Sequence, residues 1–317
     1  MSSIPISLLD IEEDSSESLA AEDYQKREGK WCAGCGDFGA LNAVKRLLAK
    51  EQLKPEKMAF VSGIGCSSRF PHYVNAYGFH GIHGRALPIA TGLKLARPEL
   101  DVFVVMGDGD CTSIGAGHWI HATRYNPNLT VLLLDNNIYG LTKNQTSPTT
   151  PQGYKSNTSP RGSVLPALDP LQTTLGVANA SFVAQTADWV PAHLYATLQA
   201  AYEHPGFSFV RILQRCPKFT PDVFLEQIKN PDLTELLVHE NGVNAPGLDK
   251  LFKAQRQHDP KDIDGARALA QRTDMLRLGI FFRDDSFPVY DEVKAVSPVS
   301  AEEKIVRLAK EFDRYAV

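Results

Sequence analysis

Long apolar runs are missing from this 317-residue chain. Its longest, such as Val102–Met106 and Val131–Leu134, fall far short of the ~20 residues that carry a helix across a bilayer, so no membrane span is expected. A basic excess is missing as well. Against 37 Asp and Glu stand 33 Lys and Arg, a formal charge of −4, without the concentrated cationic footprint that nucleic acid requires. The acidic opening (Asp10, Glu12, Glu13, Asp14) has neither the basic segment nor the apolar stretch of a secretory signal. The reading therefore expects a cytoplasmic protein in which the Asn-x-Ser/Thr triplets at Asn128, Asn144, Asn157 and Asn179 carry no sugar. Cysteine is scarce and odd in number, with five in all. That does not describe a disulfide framework and leaves thiols free for metal or redox chemistry.

What is present is ordinary for a globular protein, with 43% hydrophobic and 22% charged residues, in a length suited to about two domains. Residues 1–29 are acidic and weakly patterned, and read as a mobile arm or a segment that orders against a partner. Glycine then crowds: 16 of 23 fall between Gly29 and Gly153, where backbone must pass close to something or turn without a Cβ. Asp37 is placed to cap a helix with Phe38, Leu41, Val44, Leu47 and Leu48 at helical spacing. Strands are expected at Met58–Ser62, Asp101–Met106, Leu129–Leu134, Phe182–Gln185 and Phe207–Leu213. Helices are expected at Arg85–Ala96, Ala116–Tyr125 and near Pro191–Tyr202, with a Pro/Ser/Thr-rich loop over Thr146–Leu168. Buried strands alternating with helices predict an α/β fold, a doubly wound, mostly parallel sheet covered on both faces. It occupies residues 30–217. Residues 218–317 read as an α+β extension with helices near Pro260–Gln271 and Ala301–Phe312 and one strand, Leu276–Phe282, packing on the core or a partner.

Ligands in such folds gather at the carboxyl ends of strands. Gly107-Asp108-Gly109-Asp110 ends one strand and Asp135-Asn136-Asn137 ends the next, one helical crossover later. A carboxylate, an amide oxygen and a backbone carbonyl there, completed by diphosphate oxygens and water, form an octahedral Mg²⁺ shell. The glycines and the following helix start admit phosphate to backbone N–H groups. The doublet leaves Asn136 and Asn137 unresolved. Cys32-Ala33-Gly34-Cys35, Cys66 and Cys216 lie near strand-end loops and have the makings of one four-thiolate site. Zinc, an iron–sulfur cluster and an unmetallated dithiol all remain open on sulfur chemistry alone. Cys111, inside the phosphate turn, reads as a small packed residue.

Trp31-Cys32-x-Gly-Cys35-Gly, Gly-Ile-Gly-Cys66-Ser-Ser, His83-Gly84-Arg85-Ala86 and Asp-Asn-Asn-x-Tyr139-Gly-Leu-Thr-Lys143 occur in one order. The chain resembles the thiamine diphosphate (ThDP)-binding β subunit of the 2-oxoacid:ferredoxin oxidoreductases from about Gly29 to Pro217, and more weakly beyond. The resemblance implies Mg²⁺ ligation by Asp108, Asn136 and the Ile138 carbonyl. It implies ThDP binding by Ile64, Gly65, Cys66, His83, Arg85, Gly107, Asp108, Gly109, Asp110, Asn136, Tyr139 and Gly140. A [4Fe–4S] cluster would sit on Cys32, Cys35, Cys66 and Cys216. Ala33 stands where proline is frequent in the family and Asn144 where glycine is, and neither removes a ligand.

A cofactor that accepts the electrons left by departing CO₂, beside a one-electron acceptor, implies oxidation with coenzyme A collecting the acyl group. Arg69, three residues from a cluster cysteine, is expected to face the substrate and pair with a distal carboxylate. That favours 2-oxoglutarate over pyruvate, with Leu141 and Lys143 forming the opposite wall. The implied partners are an α (or αγ) subunit in an (αβ)₂ assembly, which supplies the acid that activates the cofactor, and ferredoxin. The rival readings are the same chemistry on pyruvate or other 2-oxoacids, a non-oxidative ThDP decarboxylase with structural zinc, and a non-catalytic subunit.

Overall fold

The computed structural model describes residues 18–294 and 300–315. In chain order the principal elements are α1 (Asp37–Lys50), β1 (Met58–Ser62), β2 (Tyr77–His80), α2 (Ala86–Ala96), β3 (Asp101–Gly107), α3 (Ala116–Tyr125) and β4 (Leu129–Asp135). There follow α4 (Pro170–Leu175), β5 (Phe182–Ala187), α5 (Pro191–Tyr202), β6 (Phe207–Leu213), β7 (Thr234–Val238), β8 (Ala254–Gln257) and β9 (Leu276–Arg283). The near-continuous apolar runs of β1, β3, β4, β5 and β6 are buried at almost every position, as strands covered on both faces must be. One face packs on α2 and α3 through Leu87, Ala90, Trp119 and Ala122. The other packs on α1 and α5 through Val44, Leu47, Leu194 and Leu198.

Nine strands form one sheet in the order β2-β1-β3-β4-β6-β5-β9-β7-β8. All neighbours are parallel except β5 and β9, which run antiparallel. The mostly parallel α/β fold is therefore as expected, and the segment after residue 217 does more than pack on it: β9 pairs directly with β5 and extends the sheet. Three strands escape the sequence reading. β2 is a four-residue edge strand exposed along its length, β8 is polar, and β7 is five residues long. Neither length nor alternation flags them.

Two local expectations are corrected. Residues 18–29 are not a free arm: Tyr24 is fully buried, its hydroxyl donates to the Leu53 carbonyl at 2.9 Å, and Lys26 N–H donates to the Tyr73 carbonyl at 2.8 Å. Residues 1–17 lie outside the described part. Asp37 does not cap α1, whose N-cap is Gly36; its buried carboxylate accepts from the Cys35 thiol at 3.5 Å. The helix Ala301–Tyr315 carries Ile305, Leu308 and Phe312 at helical spacing, all exposed.

Candidate active site

Sheet order decides which motifs meet. β1, β3, β4 and β6 are consecutive neighbours. Their carboxyl ends lead to Cys66, Asp108, Asn136 and Cys216 in that spatial order. One cleft at this edge is lined by Ile64, Gly65, Cys66, His83, Gly107, Asp108, Gly109, Asp110, Asn136, Ile138, Tyr139, Gly140 and Leu141, joined by Ser67 and Thr142. It holds about 570 Å³ of empty space open to solvent.

The Gly107–Asp110 turn is built for close approach. A Cβ on Gly109 would lie 2.1 Å from Tyr139 Cε1, and the Tyr139 hydroxyl donates back to the Gly109 carbonyl at 3.0 Å. A Cβ on Gly63 would fall 2.0 Å from Asp110 Oδ2. Asp110 Oδ1 accepts from Ile64 N–H at 3.1 Å, from Gly84 N–H at 2.7 Å and faces His83 Nδ1. Its Oδ2 is buried with no partner among the described residues. A buried orphan oxygen of this kind calls for a donor or cation.

Asp108 is buried, and its Oδ2 accepts from the hydroxyls of Ser147 and Thr149, the latter at 2.7 Å. Burial first, and the charge of Asp135 second, raise its carboxyl above the usual range. Asp135 in turn is held by Thr149 at 2.9 Å and by Arg211 at 2.7 Å. A carboxylate so destabilised as an anion gains from a cation beside it.

The asparagine doublet separates cleanly. Asn137 adopts φ +59 and turns inward, its amide donating to Asp135 Oδ1 at 3.0 Å and to the Thr149 carbonyl at 2.9 Å. Asn136 lines the cleft, with its Oδ1 accepting from Ile138 N–H at 3.1 Å. Carboxylate, amide oxygen and the Ile138 position thus share one wall, a hard-oxygen set suited to Mg²⁺.

The thiol loops are stitched to one another. Trp31 Nε1 donates to the Cys66 carbonyl at 2.7 Å, Gly36 N–H donates to the Arg215 carbonyl at 3.0 Å, and Gln214 Nε2 reaches Cys35 Sγ at 3.2 Å. The Cys66 thiol is pushed up to about 12 by burial, by Asp37, and by its neighbours Cys216 and Cys32; Cys35 is raised by burial and by Asp37. Burial therefore holds these two thiols protonated, and a bound metal is what would ionise them. Among the described residues no group of three or more His, Cys, Asp or Glu is set as a preformed metal cage. Gly140 joins the two halves of the site: a Cβ there would touch Cys66 Sγ at 3.6 Å and Phe219 at 3.7 Å.

Three expected residues do not line the cleft. The Arg69 guanidinium donates to the Lys30 carbonyl at 2.9 Å and lies 5.6 Å from the Tyr73 ring centre. Arg85 caps the Ile114 carbonyl at 3.1 Å. Lys143, in the left-handed region at φ +71, is exposed beyond Leu141. Asn144 also sits at φ +60, a conformation shared by glycine and asparagine, which explains the exchange at that position. Cys111 is fully buried in the core beside Trp119. Sequence reasoning missed Ser147, Thr149 and Arg211, which brace the two aspartates. Only the Ser/Thr density of their loop hinted at the first two.

Residues 63–212 match the family described as thiamine pyrophosphate enzyme, C-terminal TPP binding domain. The 2-oxoglutarate oxidoreductase subunit KorB of Mycobacterium tuberculosis is 50% identical over 87% of this chain and 80% of its own length. The β subunit of 2-oxoacid:ferredoxin oxidoreductase 2 of Aeropyrum pernix is 36% identical over 83% of this chain and 82% of its own. This chain belongs to the β subunits of the 2-oxoacid:ferredoxin oxidoreductases. A solved 2-oxoglutarate:ferredoxin oxidoreductase from Magnetococcus marinus, with 2-oxoglutarate, coenzyme A and succinyl-CoA bound, superposes with a TM-score of 0.78 at 36% identity. The match covers 93% of this chain and 98% of that one. The family match spans β2 to β6 of this β subunit, and β7–β9 continue the same sheet beyond it. No helix among the described residues is long and apolar enough to cross a membrane.

Proposed function

We propose that this chain is the β subunit of a 2-oxoglutarate:ferredoxin oxidoreductase. With an α partner it would convert 2-oxoglutarate and coenzyme A to succinyl-CoA and CO₂, passing electrons to ferredoxin, or run in reverse as a reductive carboxylation when ferredoxin is reducing enough. One observation carries the reading: Asp108, Asn136 and Cys66 line the same cleft. A diphosphate cofactor held by the first two would lie beside Cys66. The choice of 2-oxoglutarate draws on the similarity to the M. tuberculosis subunit and to the M. marinus enzyme.

In this reading Asp108, Asn136 and the Ile138 carbonyl hold Mg²⁺, and the N–H groups around Gly107 and Gly109 receive the diphosphate. Ile64, Gly65, His83, Tyr139 and Gly140 shape the rest of the ThDP cleft, while Leu141 closes it toward the substrate. Cys32, Cys35, Cys66 and Cys216 would hold a [4Fe–4S] cluster; the donor set is purely sulfur, with Cys216 buried and Cys35 and Cys66 half-buried. When bound, ThDP supplies an electron sink for decarboxylation and the cluster a one-electron acceptor. Asp108, oriented by the Ser147 and Thr149 hydroxyls, would offer its carboxylate to the metal, and Asp110 holds the Ile64 and Gly84 backbone in place beside the cleft. The chain works in the cytoplasm, in an (αβ)₂ assembly in which the α (or αγ) chain completes the active site.

The test is anaerobic co-expression with the α chain, then assay of CoA-dependent reduction of a small dye over several 2-oxoacids. Broad absorbance near ~400 nm that bleaches with dithionite reports the cluster. Turnover of pyruvate in preference to 2-oxoglutarate would overturn the substrate assignment, and zinc without visible absorbance would overturn the oxidative one.

A further inference from the structure

The end of β6 and the Cys32–Cys35 loop meet at unusually close range. Gly36 N–H donates to the Arg215 carbonyl at 3.0 Å. A Cβ on Gly36 would fall 2.9 Å from Arg215 N and 2.6 Å from Asp188 Cγ, so any larger residue would push the loop away from the strand end. Asp188 pins the other side of the junction. Its Oδ1 accepts from Arg215 N–H at 2.9 Å and its Oδ2 from the Arg215 guanidinium at 2.7 Å. Two of the segments that carry the four cysteines, residues 32–35 and 214–216, are locked together here.

Gln214 stands inside this junction and is 1% exposed. Its backbone N–H donates to the Asp135 carbonyl at 2.9 Å, carrying the strand pairing one residue past β6. Its side-chain Nε2 faces two atoms, the Arg215 carbonyl at 2.6 Å and Cys35 Sγ at 3.2 Å. The carbonyl decides which end of the amide is which, because a carbonyl oxygen only accepts and must face the nitrogen. One N–H is taken by that oxygen, and the second reaches sulfur. Among the described residues this is the one side-chain N–H that reaches Cys32, Cys35, Cys66 or Cys216. On Cys35 the other polar neighbour is the Asp37 carboxylate, at 3.5 Å.

A thiol sulfur is a weak acceptor, so a buried amide paired with one is poorly satisfied. It gains when the sulfur becomes a negatively charged metal ligand, since hydrogen bonds to ionised acceptors are about twice as strong. An electron added to an iron–sulfur cluster puts further negative charge on its sulfurs. An N–H aimed at one of them therefore stabilises the reduced form more than the oxidised form and raises the reduction potential. Burial of the amide strengthens that bond electrostatically.

We propose that Gln214 raises the reduction potential of the [4Fe–4S] cluster through the hydrogen bond from its side-chain amide to the Cys35 sulfur. It acts through a ligand and is a positioning residue, outside the ThDP cleft. This rests on the four-cysteine cluster proposed above and adds to it the side chain that makes the cluster an easier electron acceptor.

The test uses the αβ enzyme assembled and purified without oxygen, as wild type and as Q214M. Methionine keeps an unbranched side chain and lacks the N–H donor. The cluster is reduced stepwise with dithionite in the presence of redox mediators, and the paramagnetic resonance signal of the reduced form is read against potential. The expected result is a midpoint lower by ~59 mV in Q214M, which is a tenfold smaller ratio of reduced to oxidised cluster at the wild-type midpoint. Iron and sulfide content and ThDP–Mg²⁺ affinity stay at the wild-type level. A midpoint unchanged or raised in Q214M overturns the proposal. Should Q214M fail to hold its cluster, the wild type decides alone, with its glutamine side-chain nitrogens isotope-labelled. Pulsed paramagnetic resonance of the reduced cluster then shows a coupled amide nitrogen, and absence of that coupling overturns the proposal. A wild-type enzyme that takes up no iron and sulfide refutes the oxidative reading itself, and this proposal with it. An unshifted midpoint in a fully loaded cluster leaves that reading standing and removes only Gln214 from it.

Discussion

Replacing each asparagine of the 136–137 doublet by alanine separates a cofactor ligand from a structural brace. Asn137 donates two hydrogen bonds to buried acceptors, at 2.9 and 3.0 Å, and holds φ +59. Losing both donors costs about 1–1.5 kcal/mol each, and alanine in the left-handed region costs about 1–2 kcal/mol more. The N137A variant is therefore destabilised by about 3–5 kcal/mol. At roughly 2 °C per kcal/mol for a chain of this size, that is a fall of about 6–10 °C in Tm. The N137G variant recovers about 1 kcal/mol, because only the backbone strain is relieved.

Asn136 behaves in the opposite way. Its one side-chain hydrogen bond among the described residues is the local contact to Ile138 N–H, worth about 1 kcal/mol, so N136A loses only about 2 °C. It does remove an oxygen from the wall shared with Asp108, and ThDP–Mg²⁺ affinity falls at least tenfold, on the order of a lost metal-site group. Thermal unfolding without cofactor and calorimetric titration with ThDP and Mg²⁺ give the two readouts. A stable N137A that cannot bind ThDP, alongside an N136A that binds normally, refutes the assignment.

Three further outcomes follow from particular contacts. G109A would drive a methyl group into the Tyr139 ring, 2.1 Å from Cε1. The ring or the turn must shift, and since both line the cleft ThDP binding weakens by about tenfold while the fold persists, a result read by the same titration. R69A removes the bond to the Lys30 carbonyl and costs about 1 kcal/mol. Because Arg69 does not line the cleft, the KM for 2-oxoglutarate changes less than about threefold in a steady-state assay, and a hundredfold rise would return Arg69 to the substrate. His193 is fully buried and its ring is pushed down to about 3 by that burial. Its folded value lies below the unfolded ~6.5, so between those limits the unfolded chain binds the extra proton and stability falls as pH falls, by up to about 1.4 kcal/mol per pH unit. Urea unfolding at pH 7, 6 and 5 tests this, with H193Q expected to show the shallower slope over that window.

The helical and buried-strand framework was legible before any coordinates because continuous apolar runs can only be covered on both faces. Met58–Ser62 and Phe207–Leu213 fall at the expected residues. The short or polar strands β2, β7 and β8 were not legible, since their pairing, and not their own pattern, makes them strands. That Asp108 and Asn136 would line one cleft was readable because Gly107–Asp110 and Asp135–Asn137 stand at strand ends one crossover apart.

Spacing along the chain, then, determined which segments would meet: Asp108 and the asparagine doublet on neighbouring strands, with cysteine loops on either side. Only tertiary structure decided which side chain of each segment points inward. Asn137 is tied away from the cleft by amide bonds to Asp135 and Thr149, and Arg69 is tied to the Lys30 carbonyl beside the Tyr73 ring. Asp108 is braced by hydroxyls 39 and 41 residues further on. Side-chain direction depends on dihedral angles and on partners distant in sequence, and a linear pattern carries neither.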